Sequence, residues 1–395
     1  FTLSQGIGVT IYELLHVGLL EYVPFIILLL ALFTISGGVM LKGTLVGTPQ
    51  LNTIIIFIGT ALASWMGTTG AAMLLIRPLI RANEQRKNKV HIIVFFIFLV
   101  ANIGGSLTPL GDPPLFLGFL KGVDFFWTTS AMFLPMLFMA TSLLIIFYFL
   151  DTYYLKKENI TISPSGEKTK LGVEGVFNLG LILGVIVAVL ISGFWKPHIS
   201  LEVYHGVHLE LQNITRDLLL LGLTYASWTY TPQQIRKENE YTWFPIIEVA
   251  KLFAGIFITI IPAIAILKAG TNGALAGIIS SVSSASGPNN MMYFWYTGVL
   301  SSFLDNAPTY LVFFNTAGGD PITLMGQMKE TLLAISMGAV FMGANTYIGN
   351  APNFMVKSIS ESSGIEMPSF FGYLFKWSIP FLVPLFIIVS WIYFG

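Results

Sequence analysis

Two related stretches of the chain read Gly104-Gly105-Ser106-Leu107-Thr108-Pro109-Leu110-Gly111-Asp112-Pro113-Pro114 and Gly343-Ala344-Asn345-Thr346-Tyr347-Ile348-Gly349-Asn350-Ala351-Pro352-Asn353. They share the pattern Gly-x-x-x-x-x-Gly-[Asp/Asn]-x-Pro. Gly, Pro and Asn interrupt helices, yet the two stretches lie inside the apolar runs 90–120 and 327–358. Each run is longer than one membrane-spanning helix, which needs roughly 20 residues. We therefore predict two broken helices, each with an unwound centre between two half-helices.

A second kind of interruption lies upstream of each broken helix. The apolar stretch 51–81 is interrupted at Gly67-Thr68-Thr69-Gly70, and the stretch 289–316 is interrupted at Asp305-Asn306-Ala307-Pro308. Each stretch is compatible with a full helix or with a re-entrant helical hairpin, which enters the membrane, turns and leaves on the same side. Gly pairs and Asn-Ala-Pro break helices, so the turn chemistry favours two hairpins.

The composition is that of an all-α, polytopic membrane protein. Hydrophobic residues make up 54% of the chain and charged residues 10%, whereas soluble domains carry about 25% charged residues. The 20 basic and 20 acidic residues cancel, which argues against a nucleic-acid partner. The absence of cysteine from the sequence excludes disulfides and thiolate sites. We expect no cofactor. Further spans are predicted at 22–41, 125–150, 173–192, 215–231, 242–268 and 370–394.

The two halves are predicted to be inverted repeats. The basic loop 81–89 is placed in the cytoplasm by the positive-inside rule, and alternate crossings then give the halves opposite orientations. We assign residues 1–150 to the first repeat, 151–241 to a linker with scaffold helices and 242–395 to the second repeat. Two spans precede the second repeat but only a short amphipathic stretch precedes the first, so one or more helices are expected before Phe1. Inverted repeats with broken helices are typical of secondary carriers.

The amino-acid sequences at these interruptions resemble those of the ion-transporter superfamily. The stretch Gly104–Pro114 and the stretch Ser301-Ser302-Phe303-Leu304-Asp305-Asn306-Ala307-Pro308-Thr309 are most similar to NhaD-type sodium/proton antiporters. The superfamily also includes arsenite exporters and citrate and dicarboxylate carriers, and the resemblance covers roughly residues 22–390. It implies a homodimer in which a scaffold domain supports a transport domain that moves like an elevator. It also implies binding between two hairpin tips and two unwound helix centres.

The predicted site consists of polar groups at the four interruptions. Unwound backbone offers carbonyl oxygens to a cation, and hydroxyls and amides complete its shell. The same atoms also cap broken helix ends, so binding and capping both remain open for each residue. The candidates are Thr68, Thr69, Ser106, Thr108, Gly111, Asp112, Asp305, Asn306, Asn345, Thr346, Gly349 and Asn350.

Two intramembrane acids are the preferred exchanging groups, since charges inside a membrane are costly and usually functional. A carboxylate at a hairpin tip can hold either Na⁺ or a proton. Asp305 is the first choice and Asp112 the second, because a tip aspartate can instead bind backbone amides. We place a Na⁺ site at Asp305, Asn306 and Asp112. Glu248 and Lys251, three apart on one helix face, are predicted to be either a buried ion pair or a proton-coupled pair.

The leading prediction is exchange of Na⁺ or Li⁺ for H⁺ across a bacterial inner membrane, by an alternating-access elevator mechanism. The alternative is sodium-coupled symport of citrate or another carboxylate. No Arg or Lys lies at the four interruptions, which favours a cation, although helix N-termini can bind carboxylates unaided. A channel would need a continuous pore lining. An intramembrane aspartyl protease would need a catalytic dyad, for which Asp112 and Asp305 are the candidates. The cation site explains more of the surroundings, so an enzyme is not expected.

Overall fold

The structure, a computed structural model, describes residues 2–160, 170–268, 276–284 and 287–395. The described chain is almost entirely helical. The first part forms α1 (Thr2–Gln5), α2 (Ile7–Val17), α3 (Val23–Ser36), α4 (Pro49–Met66), α5 (Thr68–Ala82), α6 (Val90–Leu99), α7 (Pro113–Leu120) and α8 (Phe125–Glu158). The middle part forms α9 (Val176–Phe194), α10 (Leu211–Tyr230) and α11 (Gln233–Glu238).

The remaining helices are α12 (Phe244–Lys268), α13 (Ala276–Val282), α14 (Asn290–Phe303), α15 (Asn306–Thr316), α16 (Pro321–Met325), α17 (Lys329–Met342), α18 (Ala351–Ser362), α19 (Phe370–Tyr373) and α20 (Ile379–Phe394). The strands are β1 (Met40–Lys42), β2 (Gly172–Glu174), β3 (Ser200–Tyr204), β4 (Val207–Glu210), β5 (Ser283–Ser284) and β6 (Gly287–Pro288). They form three antiparallel pairs, β1 with β2, β3 with β4 and β5 with β6.

Seven helices in the described part of the chain are long and apolar enough to cross a membrane. They are Ile7–Ser36, Pro49–Met66, Val90–Leu107, Phe125–Glu158, Val176–Phe194, Phe244–Ile266 and Phe370–Phe394. The first is longer than the predicted span 22–41, because a π-helical segment, Gly18–Tyr22, joins α2 to α3 without a break. The predicted span 215–231 forms α10, which does not belong to the seven and whose first turns carry Arg216 and Asp217.

The apolar stretch 51–81 forms two helices that pack against each other. Helix α4 begins after Thr48, whose hydroxyl accepts a hydrogen bond from Leu51 N at 3.2 Å, and it ends at Met66. Gly67 then turns the chain with φ +80° and ψ 148°, a conformation that residues other than glycine rarely adopt. Helix α5 begins at the next residue, so the tip of this hairpin is a single glycine.

The stretch 289–316 folds in the same way around a different tip. Asn289 caps α14 by accepting a hydrogen bond from Met292 N at 3.1 Å, and the helix ends at Phe303. Leu304 and Asp305 are extended, and α15 begins at Asn306. The Asn-Ala-Pro sequence therefore starts the second helix of the hairpin, where Pro within the first turn costs no hydrogen bond.

Both long apolar runs that contain the shared motif are interrupted. A 3₁₀ turn, Ile103–Leu107, and an extended segment separate α6 from α7. A 3₁₀ turn, Gly343–Asn345, and a similar segment separate α17 from α18. Each downstream helix has Pro within its first two residues, which suits Pro because those N–H groups lack helical partners. The motif thus marks the place where the chain leaves one helix and starts another.

A buried charged cluster fixes the base of the first hairpin. Asp151 of α8 is fully buried, and its Oδ1 accepts from Arg86 Nη2 at 2.8 Å and contacts His91 Nε2 at 2.8 Å. Its Oδ2 accepts from Asn52 Nδ2 of α4 at 2.8 Å. Buried charges are tolerated when paired and hydrogen-bonded, as they are here. The cluster joins α4, α6 and α8 and so anchors the end of the hairpin that lies far from its tip.

Candidate functional site

Each hairpin tip is joined to one helix break by a backbone hydrogen bond. Thr68 N, at the start of α5, donates to Gly111 O at 2.9 Å. Asn306 N, at the start of α15, donates to Gly349 O at 3.1 Å. The first amides of a helix have no partner within it, so each break satisfies a donor that the tip exposes. The bonds pair the first hairpin with the first break and the second hairpin with the second.

Two threonines strengthen the same pairing. The Thr108 hydroxyl donates to Ser64 O of the first hairpin, and the Thr346 hydroxyl donates to Ser302 O of the second at 2.5 Å. Each hydroxyl also accepts from the backbone amide two residues further on, at 3.2 Å for Thr108 and 3.3 Å for Thr346. The predicted site residues Thr108 and Thr346 therefore hold the extended segments against the hairpins.

Glycine is required at equivalent points of the two breaks by close backbone packing. A Cβ atom added to Gly111 would collide with the Gly105 carbonyl oxygen. A Cβ atom added to Gly349 would collide with the Gly343 carbonyl oxygen and would lie 2.8 Å from Ser301 O. The shared Gly-x-x-x-x-x-Gly spelling thus reflects a close approach within each break, where the second glycine folds back onto the first.

Asp112 brings the two halves together. Its Oδ1 accepts from Asn350 Nδ2 at 2.7 Å and from Thr68 Oγ1 at 3.3 Å. Its Oδ2 accepts from Asn306 Nδ2 at 2.6 Å. These partners come from the first tip, the second tip and the second break, while Asp112 itself belongs to the first break. The side chain is 1% exposed, so all four interruptions meet at one buried carboxylate.

Asp305 has a different environment from Asp112. It is half-buried, and its Oδ1 accepts from Ala307 N at 3.0 Å, which caps α15. Of the two acids, Asp112 was predicted to be the one that binds backbone amides, if either did. In the structure Asp305 binds a backbone amide and Asp112 accepts hydrogen bonds from side chains, so the geometry favours Asp112 as the central acid.

Two asparagines outside the predicted set link the breaks to each other. Asn102 Nδ2 donates to Asn353 Oδ1 at 2.7 Å and to Ile97 O at 2.8 Å. Asn353 Nδ2 donates to Gly343 O at 2.8 Å and to Thr346 O at 2.9 Å. Both are completely buried. The sequence offered one signal for them, an amide in the middle of an apolar run.

Three buried amide oxygens in the site are unsatisfied. The Oδ1 atoms of Asn306, Asn345 and Asn350 have no hydrogen-bond partner among the described residues. Buried polar atoms are normally paired, so unpaired acceptors call for an explanation such as a bound ion or water. Amide oxygens are ligands that hard cations prefer. The residues present therefore offer amide-oxygen ligands that suit a cation.

Other predicted residues have local roles or face the cavity. Ser106 Oγ donates to Ile103 O at 2.8 Å within its own turn. Asn345 Nδ2 donates to Ser302 Oγ at 2.9 Å. Thr69 is half-buried and lines the cavity described next. Capping and binding were both open for these residues. The hydrogen bond of Ser106 stays within its own 3₁₀ turn and caps no helix.

A cavity of about 690 Å³ lies between the four interruptions and the helices α3 and α12. One wall carries both hairpin tips and both breaks, with Asp112 and Asp305. The opposite wall is largely apolar and extends from Phe25 to Phe33 on α3 and from Phe244 to Ile256 on α12. The cavity therefore combines a polar face with a broad apolar face.

The charged residues around the cavity are mostly acidic. Arg77 and Glu240 form an ion pair of 3.0 Å at one end, with the Glu240 side chain 71% exposed. Glu248 also lines the cavity. Of the two alternatives for Glu248 and Lys251, a buried ion pair is wrong, because both side chains are exposed and no ion pair joins them in the described structure. Their role as a proton-coupled pair stays a prediction. Their helical spacing placed them on one face, but that face is not packed against protein.

Comparison with known proteins gave one family. The model of the family described as “Putative citrate transport” matches residues 1–394. No curated protein matches the chain. Together with the seven long apolar helices, the family match indicates a multi-pass membrane transporter of the ion-transporter class.

Proposed function

The chain belongs to the family described as “Putative citrate transport”, and on this premise we propose that it carries citrate or a similar small carboxylate together with Na⁺ or H⁺. Cation-coupled carboxylate symport was the alternative prediction from the sequence and now becomes the leading function. One observation carries the choice. The cavity of about 690 Å³ at the four interruptions falls in the range of roughly 300–1,000 Å³ that is usual for small organic ligands. A bare cation needs far less space.

Coupling to a cation follows from the charge of the cavity wall. Asp112 and Asp305 face the space that the carboxylate would enter. An anion that approaches buried carboxylates is repelled unless a cation or a proton neutralises them. The unpaired amide oxygens of Asn306, Asn345 and Asn350 supply ligands for that cation. Carboxylate binding is therefore favourable only when the cation is bound, and this is the requirement for symport.

The proposal includes the architecture that the sequence resemblance implies. Residues 1–150 and 242–395 would be inverted repeats, with residues 151–241 as linker and scaffold helices. The matched hydrogen bonds of Thr68 with Gly111 and of Asn306 with Gly349 support this relation. The hairpins and broken helices of both repeats, which bear the site, would move as an elevator against the remaining helices, among them the scaffold helices of residues 151–241, in a homodimer in a bacterial inner membrane. Alternating access by rigid-body movement is common in such carriers.

Exchange of Na⁺ or Li⁺ for H⁺ is the second candidate. It is favoured by Asp112, a buried carboxylate held by amides of both halves, and by the lack of Lys or Arg at the interruptions. In this scheme the carboxylate would bind either a metal ion or a proton. The large cavity would then hold water rather than an organic ligand.

Transport by the purified protein in liposomes separates the two functions. Radiolabelled citrate uptake is measured with a Na⁺ gradient, with a pH gradient and with neither. We expect uptake against the citrate gradient that stops when the driving cation gradient is collapsed. A parallel assay follows the internal pH after addition of Na⁺, Li⁺ or K⁺ without citrate. Loss of the pH gradient on addition of Na⁺ or Li⁺ alone, with no citrate uptake, would establish exchange and refute the carboxylate proposal.

A further inference from the structure

A largely buried ion pair lies behind one end of the cavity. Lys121 Nζ contacts Glu21 Oε1, and the two side chains are 26% and 6% exposed. Glu21 belongs to the π-helical segment that leads into α3, and Lys121 directly follows α7. The pair therefore joins the apolar wall of the cavity to the half-helix that starts at the Asp112 break. π-Helical segments are rare and frequently mark functional positions.

Aromatic rings fill the space between this ion pair and the cavity. The Phe25 ring centroid lies 4.7 Å from that of Phe253 and 6.5 Å from that of Phe116. These three rings line the end of the cavity. Glu21 lies one helical turn before Phe25, and Lys121 lies just over one turn after Phe116. This end of the cavity thus consists of a layer of rings and, behind it, the ion pair.

The opposite end of the cavity is different. There the Arg77–Glu240 pair joins α5 to the segment before α12, and Glu240 is mostly exposed. An exposed ion pair contributes little stability, whereas breaking a buried one is costly because it leaves an uncompensated charge. Of these two ion pairs, the Glu21–Lys121 pair is therefore expected to contribute more to holding the two walls together.

We propose that the Glu21–Lys121 pair is a latch that keeps this end of the cavity closed and must separate before the cavity can open there. The inference rests on the proposed function, since it assumes alternating access to the cavity. It adds the residues that set the balance between the two states. Removing either charge shifts the population toward the state that is open at the Glu21 end.

Cysteine labelling measures this shift without any substrate, so the result is independent of whether citrate is transported. The natural sequence contains no cysteine, and a reporter cysteine is introduced at Leu304, an exposed residue that lines the cavity. A membrane-impermeant maleimide is applied to right-side-out and to inverted vesicles. In the parent we expect labelling from the Arg77 side. In Glu21→Gln and Lys121→Gln we expect labelling from the opposite side to rise roughly tenfold, as for a minor state that becomes populated.

Two further variants provide the controls. Lys42→Gln removes an exposed ion pair with Glu174, which measures 2.9 Å and lies outside the cavity lining, and it should label as the parent does. Glu21→Lys combined with Lys121→Glu restores opposite charges and should return labelling to the parent level. Folded Glu21→Gln or Lys121→Gln protein that labels as the parent does from both sides overturns the proposal.

A reducible bis-maleimide between cysteines at positions 21 and 121 decides the matter if the single variants do not fold. The linked protein should stop transporting and should recover when the linker is reduced. Linked protein that transports at the unlinked rate overturns the latch.

Unlinked protein that transports no tested substrate points instead to failure of the proposed function. In that case the protein with cysteines at positions 21 and 121 also carries a caged cysteine at position 304. The linker is attached first, and the caged thiol is then unmasked so that it can be labelled. Labelling of the linked protein from the Glu21 side then refutes the latch, and its absence supports it.

Discussion

The Asn350 side chain donates from Nδ2 to Oδ1 of Asp112 across 2.7 Å, although the two residues are 238 positions apart. One residue belongs to the first break and the other to the second. Both residues are buried. Because a buried carboxylate needs several donors to remain charged, the amide of the second half stabilises the acid of the first. The two breaks thus form one site, and neither half would be complete without the other.

Replacement of Asp112 by Asn tests this central role. The new side-chain NH₂ has to face Asn306 or Asn350, both of which present a donor. Two donors that face each other leave buried groups unsatisfied. An amide that turns to present its oxygen instead moves its own NH₂ group to a position without a partner. Either arrangement leaves a buried donor unsatisfied, at a cost of about 1–3 kcal/mol. We therefore expect loss of citrate uptake together with a lower midpoint of thermal unfolding in detergent.

Asp124→Asn is the matched control for this substitution. Asp124 is exposed at the start of α8, and its side chain makes no capping hydrogen bond. Uptake and unfolding midpoint should both stay at the parent values. If Asp112→Asn transports at the parent rate, the carboxylate has no part in transport, whatever its effect on stability.

The interruptions could be predicted from the sequence because their signals are local. Gly67 adopts a positive φ, and the pairs Gly105 with Gly111 and Gly343 with Gly349 approach too closely for a Cβ atom. Such constraints act within a few residues and appear directly as Gly, Pro and Asn in an apolar run. The positions where the helices end could therefore be predicted from the sequence without any tertiary information.

The roles of the acids could not be predicted in the same way. Both Asp112 and Asp305 lie at an interruption, and only long-range contacts distinguish them. Asp112 meets Asn306, 194 positions away, whereas Asp305 accepts from Ala307, two positions away. Similarly, the helical spacing of Glu248 and Lys251 fixes their common face but not what that face contacts. What a helix face contacts depends on how elements distant in the sequence pack together, and the sequence pattern does not predict that packing.

The role of Asp305 can be separated from its effect on folding. Asn caps a helix as well as Asp does, so Asp305→Asn should keep the hydrogen bond to Ala307 N and leave the unfolding midpoint unchanged. Loss of the negative charge beside the cavity should reduce cation-driven uptake at limiting Na⁺ or H⁺ by about tenfold or more, equivalent to roughly 1.4 kcal/mol of cation affinity.

Asp320→Asn is the corresponding control, because Asp320 caps α16 by accepting from Thr323 N at 2.8 Å and is exposed. Neither stability nor uptake should change in that variant. Equal cation dependence in Asp305→Asn and the parent would exclude Asp305 from cation coupling.

The close approach within the second break predicts a strong effect of one methyl group. Gly349→Ala would place its Cβ against the Gly343 and Ser301 carbonyl oxygens. Backbone atoms cannot rotate away as a side chain can, so the segment must shift at a cost of about 1–3 kcal/mol. We expect a lower unfolding midpoint and loss of uptake. Gly255→Ala, on α12 with open space around its Cβ position, should be neutral or slightly stabilising, and equal midpoints for the two variants would contradict the prediction.

The cluster at the base of the first hairpin predicts the largest effect on stability. Asp151 binds Arg86, His91 and Asn52 in a fully buried environment. Asp151→Asn removes one of two buried carboxylates that pair with Arg86, which keeps its ion pair with Glu158 at 3.2 Å. We therefore expect a cost of about 3 kcal/mol, the low end of the roughly 3–5 kcal/mol for loss of one member of a buried ion pair. The free energy of unfolding, measured by denaturant titration in detergent micelles, should fall by that amount. Glu361→Gln removes a solvent-exposed partner of Lys357, at 2.7 Å on α18, and should change the same free energy by less than about 0.5 kcal/mol.

Because the cluster lies at the hairpin base and not at its tip, Asp151→Asn protein that remains folded should still take up citrate with the parent's cation dependence. A changed cation dependence in folded Asp151→Asn protein would instead mean that the base and the tip of the hairpin are energetically coupled.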